Sequence, residues 1–296
     1  MKPHQMTILV TGATGRQGGA LARTLLKRGH KVRAFTRKPS SPAAKELKRL
    51  GAELIAGSFD DRRSLEKAVT LADAVFAVTT PYEAGPEAEK RQGIAVGIAA
   101  WTAGVKHLVY TSVAGANRST GIPHFDSKYE VEQYIQSLGV PFTIIAPVTF
   151  MDNVLGPSSL KELQQGRLTM ALPQSRNIQQ IAVEDIANFA AFVLENRKRF
   201  LGARIDIASD ELTGAQSAEL LSRAIGKRID YVEIYLDHLR AVNGDFAKMF
   251  EWLDRMGYRA DIAALRRDYP EVGWHSYEEW VMAQNWKVLL NGHKAV

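Results

Sequence analysis

The chain has no cysteine among its 296 residues. Disulfide bonds, cysteine-ligated metal sites and thiol nucleophiles are therefore excluded, and so is redox sensing by a thiol. The seven histidines never fall into a metal-ligand spacing such as H-E-x-x-H, so we expect no metal site. No apolar run approaches the roughly 18 residues that a membrane-spanning helix requires, so we expect no membrane partner.

The start of the chain, residues 1–5, lacks the apolar core and the cleavage site of a secretory signal peptide. We therefore expect a cytoplasmic location. The composition, with 46% hydrophobic and 24% charged residues, is ordinary for a globular protein.

Acidic residues are scarce in one stretch of the first half. From Arg23 to Arg49 there are ten lysines or arginines and a single acid, Glu46, within a chain whose formal net charge is +6. Either these cations form the solvated faces of two helices, or a few of them contact an anionic cofactor. No recognisable DNA- or RNA-binding motif accompanies the charge, so we expect no nucleic-acid partner.

The first half of the chain alternates apolar, β-rich runs with amphipathic helical segments. The predicted strands are Met6–Thr11, Lys31–Thr36, Glu53–Ala56, Ala74–Val78, Lys106–Ser112 and Phe142–Ala146. The predicted helices are Gly18–Arg28, Ala43–Leu50, Arg62–Leu71, Glu87–Ala103 and Phe125–Leu138. Apolar strands separated by helices predict an α/β fold, a doubly wound parallel Rossmann sheet whose ligand lies at the carboxyl ends of the strands.

The regular alternation breaks down after Ala146. We predict that Pro147–Arg176 is loop-rich, that Val183–Glu195 is a helix, and that Arg204–Ala208 can add a seventh strand to the sheet. Further helices are predicted at Gly214–Ile225, Gly244–Met256 and Tyr277–Lys287. The expected organisation is a Rossmann domain of residues 1–150, joined by residues 180–208, and a smaller, partly interleaved α/β lobe of residues 151–179 and 209–296. We expect this lobe to close over the ligand and to meet the substrate or partner.

A glycine-rich turn joins the first strand to the first helix. Gly12, Gly15 and Gly18 form a G-x-x-G-x-x-G pattern, which suits a tight turn, a bare backbone against a pyrophosphate, and close helix–strand packing. The following helix presents free N–H groups and the positive end of its dipole to phosphates. We therefore predict a dinucleotide site whose turn also includes Thr14, Arg16 and Gln17.

The end of the second strand indicates which dinucleotide binds. An NAD enzyme places an acid there against the ribose 2′-hydroxyl, whereas this chain has Arg37 and Lys38. A guanidinium can form a forked pair with a 2′-phosphate, and a lysine adds a point charge. The alternative is a pair of exposed cations at a strand end. The pattern favours NADP(H) as the cofactor.

Two further loops are open to either of two interpretations. Phe59 and Asp60 follow the third strand, where such folds hold the adenine, and Thr79, Thr80 and Pro81 follow the fourth, near the pyrophosphate and nicotinamide ribose. Each loop is either part of the cofactor site or ordinary turn chemistry.

The fifth strand and the helix after it resemble the catalytic layout of short-chain dehydrogenases. In those enzymes a Ser or Thr ends the strand and Tyr-x-x-x-Lys begins the helix, with the tyrosine and lysine on one helix face. Ser112 and Lys128 match the serine and lysine, but His124 stands at the tyrosine position. His124 is either structural or a general acid. Tyr129 lies about 100° around the helix from Lys128 and should not replace the missing phenol.

These motifs resemble the NmrA-like family of atypical short-chain dehydrogenases/reductases, closest to its HSCARG-type members. The resemblance also rests on His124-Phe125-Asp126-Ser127-Lys128-x-Glu130-Val131-Glu132, Pro147-Val148-Thr149-Phe150-Met151-Asp152-Asn153 and Val183-Glu184-Asp185-Ile186-Ala187. The resemblance implies an NADP(H) site in which Arg37 meets the 2′-phosphate and Lys128 the ribose. It also implies that Thr149, Phe150 and Asn153 lie at the nicotinamide end. One residue departs from the pattern, because many relatives carry Arg where this chain has Ala146.

The resemblance leaves two functions open. The first is an NADPH-dependent reductase of a small apolar electrophile, a quinone, an enone or an imine, in which Lys128, Ser112, His124 or water handles the proton. The second is a non-catalytic NADPH/NADP+ redox sensor that regulates a protein partner. The missing tyrosine favours the sensor, and the retained Lys128 and Ser112 suit both. The partner is thus a small-molecule substrate or a regulated protein, and a homodimer is compatible with either.

Overall fold

The computed structural model describes residues 5–291 of the chain. Within this range the backbone forms twelve strands: β1 Thr7–Val10, β2 Lys31–Thr36, β3 Glu53–Ala56, β4 Ala74–Ala77, β5 His107–Thr111, β6 Phe142–Pro147, β7 Thr149–Phe150, β8 Arg167–Met170, β9 Asn177–Ile181, β10 Arg204–Ile207, β11 Asp210–Thr213 and β12 Asp230–Glu233.

The same described range contains fourteen α-helices: α1 Arg16–Lys27, α2 Pro42–Arg49, α3 Arg62–Val69, α4 Pro86–Thr102, α5 Pro123–Ser137, α6 Pro157–Gln164, α7 Val183–Glu195, α8 Arg197–Phe200, α9 Gly214–Ile225, α10 Leu236–Val242, α11 Gly244–Arg255, α12 Ile262–Asp268, α13 Tyr277–Met282 and α14 Trp286–Asn291. Short 3-10 helices occur at Ala116–Arg118, Met151–Leu155 and Pro270–Val272.

Seven strands form the central sheet in the order β10-β6-β5-β4-β1-β2-β3. The pairings from β3 across to β6 are parallel, so the carboxyl ends of these strands share one edge of the sheet. The strand order reverses between β1 and β4, and a doubly wound fold binds its ligand in the crevice at such a point. The predicted α/β fold and the seventh strand are confirmed. The helices and strands predicted up to Ala146 are confirmed to within two residues at each end.

The strands form because their residues are apolar on both faces. Leu9 and Val10 of β1 and Val75 and Phe76 of β4 are fully buried, and because successive strand residues point to opposite faces, helices cover both sides of the parallel sheet. The helices α4 and α5 pack closely: a Cβ atom on Gly93 of α4 would lie 2.7 Å from the Val131 methyl groups of α5. Glycine is therefore needed at that contact for the two helices to approach.

The described residues fall into two compact units. The first comprises residues 5–119, 123–146 and 186–206, and the second comprises residues 120–122, 147–185 and 207–291. The first unit carries the seven-stranded sheet and a core of apolar residues between that sheet and helices α3, α4 and α5. The division of the chain into a cofactor domain and a substrate or partner lobe is a functional prediction and stays one.

The second unit contains two small sheets, β11-β9-β7 and β12-β8. Its main core joins α6, α9, α13 and α14 and includes three buried aromatic side chains, Tyr277, Trp280 and Trp286. The indole N–H of Trp286 donates to the backbone oxygen of Val281 at 2.8 Å, which satisfies the polar atom of this buried ring.

The prediction that Pro147–Arg176 is loop-rich is wrong. The segment contains β7, a 3-10 helix, α6 and β8. Pro157 is the first residue of α6, where a proline has no hydrogen bond to lose and its fixed φ favours the helix. Gly166, with a φ of +82°, makes the turn into β8. The proline and glycine thus mark the ends of a helix.

The single helix predicted at Tyr277–Lys287 is also wrong, because the structure divides it into α13 and α14. The break lies at Asn285, whose side-chain oxygen accepts a hydrogen bond from the Val288 backbone N–H at 3.1 Å and so caps the second helix. The short helices α10 and α12 were not predicted. Helix α12 begins where the Asp261 side chain accepts from the Ala264 N–H at 2.9 Å.

Candidate functional site

The glycine turn after β1 is shaped by close backbone contacts. Gly12 has a φ of +57°, and a Cβ atom there would lie 2.6 Å from a Val78 methyl group. A Cβ atom on Gly18 would lie 2.4 Å from the Gly12 carbonyl oxygen, so α1 could not approach the turn. A Cβ atom on Gly15 would meet only the Gly12 oxygen, at 3.2 Å. The fold therefore requires glycine at positions 12 and 18, whereas at 15 it leaves exposed, bare backbone.

The turn is fixed to the end of the neighbouring strand β4. The Thr11 backbone N–H donates to the Phe76 oxygen at 3.0 Å. The Thr11 hydroxyl donates to the Val78 oxygen at 3.1 Å and accepts from the Val78 N–H at 2.9 Å. Helix α1 begins after Gly15 with no side-chain cap and no acid in its first turn. Its N-terminus can therefore receive an anion, because neither a cap nor a carboxylate competes there.

The other predicted residues of this turn lie at the same place. Thr14 and Arg16 are exposed, and Gln17 is half-buried. The Gln17 side-chain oxygen accepts from the Thr111 hydroxyl at 2.9 Å, which connects the first turn of α1 to the end of β5. The carboxyl ends of three neighbouring strands are thus joined by side chains around one turn.

Arg37 and Lys38 follow β2 at the same edge of the sheet, and both are exposed. The Arg37 guanidinium forms a forked ion pair with Glu83, in the loop after β4: Nη1 lies 2.7 Å from Oε2 and Nη2 lies 2.8 Å from Oε1. The hydrogen bond to Glu83 raises the pKa of Arg37, and the same bond lowers the pKa of Glu83 below the ordinary value. Both groups are therefore charged at neutral pH.

The loop after β3 holds an aromatic ring and an acid. The Phe59 ring is half-buried, 5.7 Å from the Phe35 ring between centroids, and it packs on the core of the first unit. Asp60 is exposed, and its carboxylate accepts from the Gln92 side chain of α4 at 3.3 Å. Packing against the core therefore accounts for part of the burial of the Phe59 ring.

A buried ion pair lies where the loop after β4 meets α5. Lys128 Nζ donates to Glu89 Oε1 at 2.7 Å and to the Thr79 backbone oxygen at 3.2 Å. Glu89, on α4, is fully buried, and the Lys128 side chain is 12% exposed. The other Glu89 oxygen accepts from Ser127 Oγ at 2.8 Å. Thr79 is buried, Thr80 is exposed and Pro81 is buried.

The tyrosine that lies under this lysine is Tyr110 of β5. Lys128 Nζ is 6.0 Å from the centre of its ring, and the phenol oxygen is 3.5 Å from Thr79 Oγ1. Tyr110 is fully buried, and burial, reinforced by the charge of Glu89, raises the pKa of its phenol well above the ordinary value. A phenol with a raised pKa is a poor proton donor, so Tyr110 does not have the environment of a catalytic tyrosine.

Ser112 lies at the end of β5 as predicted, but its hydroxyl donates to Glu132 of α5 and not to the Lys128 cluster. Glu132 is fully buried and also pairs with Arg204, whose Nε lies 2.7 Å from Oε2. Burial raises the pKa of Glu132 above the ordinary value, although the hydrogen bonds from Arg204 and Ser112 oppose this. Ser112 is therefore part of a second buried network.

His124 is the second residue of α5 and is only 4% exposed. Its ring packs edge-on against Phe125, with centroids 4.9 Å apart, and lies 6.5 Å from the ring of Tyr82. These aromatic contacts favour the structural interpretation of this side chain.

The three remaining predicted residues belong to the second unit. Thr149 and Phe150 form β7, paired with Gln180 and Ile181 of β9. Asn153 is exposed in the adjoining 3-10 helix. Their assignment to the nicotinamide end stays a prediction.

Within the first unit, then, the predicted residues gather at the carboxyl edge of β1 to β5. The sequence alone assigns no role in the site to Glu83, Glu89, Tyr110 or Glu132. Glu89 on α4 and Glu132 on α5 have no local sequence signal, because a glutamate is ordinarily exposed unless a distant residue pairs with it. In residues 5–291 no group of three or more His, Asp or Glu is arranged to hold a metal ion. None of the helices in this range is both long enough and apolar enough to cross a membrane.

Comparison with known proteins finds similar sequences over most of the chain. The model of the NmrA-like family matches residues 4–281. An NmrA-like family domain-containing protein of Dictyostelium discoideum is 30% identical over 76% of this chain and 79% of its own length. The (4-alkanoyl-5-oxo-2,5-dihydrofuran-3-yl)methyl phosphate reductase of Streptomyces griseus is 31% identical, and the NAD(P)H azoreductase of Xenophilus azovorans is 30% identical, each over 79% of both chains.

Solved structures resemble the chain over nearly its full length. NmrA, described as a negative transcriptional regulator, in complex with NADP has a TM-score of 0.78 over 98% of each chain, at 21% identity. The same regulator in complex with NAD has a TM-score of 0.79 over 99% of this chain and 98% of that one, at 20% identity. At these identities the likeness establishes the fold alone.

Proposed function

Because this chain belongs to the NmrA-like family, we propose that it is an NADP(H)-dependent reductase of a small apolar electrophile, a quinone, an enone or an imine. Two of its relatives are named as a reductase and an NAD(P)H azoreductase, which supports the reaction class. A small-molecule substrate is then its partner, and we expect it to act in the cytoplasm.

One observation carries the proposal. The glycine turn is bonded to Val78 through Thr11, and the buried Lys128 is bonded to the next residue of the same loop, Thr79. A bare, uncapped helix N-terminus and a lysine ammonium are thereby held against two successive residues at the switch point of the sheet. An extended dinucleotide needs both, one for its pyrophosphate and one for its nicotinamide ribose.

The residues of the first unit fit the rest of an NADP molecule. The exposed backbone at Gly15 leaves room that a Cβ atom would occupy, and α1 offers N–H groups to the pyrophosphate. Arg37 has the forked donor geometry that matches a 2′-phosphate. Lys38 adds positive charge at the adenosine end of the cofactor. Lys128 donates hydrogen bonds to the hydroxyls of the nicotinamide ribose.

When bound, the nicotinamide supplies the hydride for the reduction. Lys128 orients the ribose and keeps a positive charge beside the reacting carbonyl or imine, where negative charge develops. The proton comes from Lys128, His124, Ser112 or water. The Ser112 hydroxyl already donates to Glu132, and His124 is buried. A water molecule is therefore the proton donor that requires the least rearrangement of side chains.

The test of this proposal measures NADPH oxidation by the full chain with a panel of quinones, enones and imines. We expect turnover above background that Lys128→Ala lowers much more than it weakens NADPH binding, since the lysine then acts in the transition state. His124→Phe identifies the proton donor. A roughly 100-fold fall in the turnover rate would make the imidazole the donor, and an unchanged rate would make water or Ser112 the donor. Background rates with every substrate would contradict the reductase.

A second candidate is a non-catalytic sensor of NADPH and NADP+ that regulates a protein partner. The absence of an activated phenol at Lys128 favours it, because Tyr110 is buried and its pKa is raised. NmrA itself is described as a negative transcriptional regulator, which supports the same alternative. The sensor predicts no turnover, and it predicts protease-cleavage patterns in residues 147–176 or the C-terminal helices that differ between NADPH and NADP+.

A further inference from the structure

The Arg37 guanidinium already has an anionic partner within its own chain. Arg37 follows β2 and Glu83 follows β4, 46 residues later, and the loops meet across β1 in the sheet. The pair is forked, with one carboxylate oxygen 2.7 Å from Nη1 and the other 2.8 Å from Nη2. Both side chains are more than half exposed, so an incoming ligand can reach the pair.

A carboxylate and a phosphate compete for the same face of a guanidinium. Each presents two oxygens to two parallel N–H donors, and a forked pair with one of them uses the donors that the other needs. Glu83 stays ionised at neutral pH, because its hydrogen bond from Arg37 lowers its pKa. A 2′-phosphate that pairs with Arg37 in this way must therefore displace Glu83.

We propose that Glu83 is a specificity-determining residue that limits the preference of this chain for NADP(H) over NAD(H). The proposal rests on the proposed function, which assigns Arg37 to the 2′-phosphate. A cofactor whose 2′-phosphate pairs with these two guanidinium nitrogens binds only after the Glu83 carboxylate leaves them. A cofactor with a free 2′-hydroxyl binds with the ion pair intact and does not incur this cost.

Neighbouring charges act on both members of the pair. Lys38 lies near Glu83 and stabilises its carboxylate, and Asp60 lies near Arg37 and stabilises its cation. Asp60 itself accepts from Gln92. Lys38 can attract either the Glu83 carboxylate or a 2′-phosphate. Removing the charge of Glu83 should therefore leave both Arg37 and Lys38 free to attract the phosphate.

The test is calorimetric titration of NADPH, NADH and adenosine 2′-monophosphate into the full chain and into Glu83→Gln. Exposed ion pairs contribute little, which corresponds to an expected two- to fivefold tighter binding of NADPH and adenosine 2′-monophosphate by the variant. NADH should bind to both proteins equally. The matched control is Glu87→Gln, which removes an exposed carboxylate four residues further on and should change no affinity.

A double-variant cycle with Arg37→Ala completes the experiment. In the Arg37→Ala background, Glu83→Gln should no longer tighten NADPH, because the guanidinium for which the two anions compete is absent. If Arg37→Ala weakens NADPH while Glu83→Gln changes nothing, the inference fails and the cofactor proposal stands. If Glu87→Gln tightens NADPH equally, or if NADH gains as much as NADPH, the effect is one of general charge and the inference is wrong. Absence of NADPH binding by every protein overturns both proposals.

Discussion

At the scale of single residues, the candidate site depends on which anion each cation contacts. Arg37 faces an exposed carboxylate, whereas Lys128 is held by a buried one. The first contact is accessible and exchangeable, and the second is sheltered from water. We therefore expect substitutions at Arg37 to change cofactor choice and substitutions around Lys128 to change stability as well as binding.

The first prediction concerns cofactor choice. NADPH should bind at least tenfold more tightly than NADH, a difference of about 1.4 kcal/mol, because Arg37 and Lys38 stand where an NAD enzyme places an acid. Arg37→Ala should abolish most of this preference while leaving NADH affinity unchanged. Calorimetric titration of both cofactors measures it. Equal affinities in the unaltered chain would show that these cations are only surface charges.

The second prediction concerns Glu89. Glu89→Ala leaves the Lys128 ammonium buried without its carboxylate partner, and breaking a buried pair in this way should cost about 3 kcal/mol of unfolding free energy. Urea denaturation measures the loss. Glu66→Ala removes the carboxylate of the exposed Arg62–Glu66 pair and should have no measurable effect.

A compensating substitution tests the cause of that loss. Lys128→Met in the Glu89→Ala background removes the unpaired ammonium and should restore much of the lost stability, because neither member of the buried ion pair then leaves an unpaired charge. No recovery would mean that Glu89 stabilises the protein through Ser127 and the packing of α4, and not through the lysine.

At the scale of elements, the N-terminus of α1 separates what folds the protein from what binds the cofactor. A Cβ atom on Gly12 or on Gly18 would lie less than 3 Å from a neighbouring atom, whereas a Cβ atom on Gly15 would not. The same glycine motif thus contains two positions set by packing and one exposed position, Gly15, where a Cβ atom would meet a single backbone oxygen at 3.2 Å. The sequence pattern alone does not distinguish them.

The third prediction uses this difference. Gly15→Val should leave a folded chain, because Gly15 has extended backbone angles that any residue adopts, but it should abolish NADPH binding by filling the space next to α1. Gly18→Ala should instead destabilise the fold, since its Cβ atom meets the backbone of Gly12 and Thr11. Circular dichroism and NADPH titration of both variants provide the measurement. Normal NADPH binding by Gly15→Val would make the turn purely structural.

At the scale of the whole molecule, a buried histidine links stability to pH. His107, at the start of β5, is 1% exposed, and its Nε2 lies 2.8 Å from the Thr143 hydroxyl oxygen. Burial, reinforced by the charge of Arg197, lowers its pKa from 6.5 to about 4. Below pH 6.5 His107 therefore binds a proton in the unfolded chain but not in the folded chain. The free energy of unfolding falls as the pH falls towards 4.

The fourth prediction follows from that sign. Between pH 7 and pH 5 the chain should lose about 2 kcal/mol of unfolding free energy through His107. His107→Gln should remove this part of the pH dependence, because glutamine does not titrate. His238→Gln, at an exposed histidine, should leave it in place. Urea denaturation at both pH values distinguishes the variants, and an unchanged pH dependence in His107→Gln would refute the assignment.

The sequence by itself determined the parallel sheet, the glycine turn, the cations after β2 and the position of Lys128 on α5. Each of these features depends on a short stretch of the sequence: an apolar run, a glycine pattern, two adjacent cations or an i, i+4 spacing. The same local reasoning failed at Pro147–Arg176, where it read proline and glycine as loop residues although they mark the ends of α6 and its turn.

Only the tertiary structure decided which charges meet. Glu83 reaches Arg37 across 46 residues, Glu89 reaches Lys128 across 39, and Glu132 reaches Arg204 across 72. It also showed that the hydroxyl of the predicted catalytic serine is engaged by Glu132, and that His124 is buried among aromatic rings. These pairs depend on strand order and on how α4 and α5 cross the sheet. A local pattern cannot specify them, because the partner of a charge is chosen by the packing of distant segments.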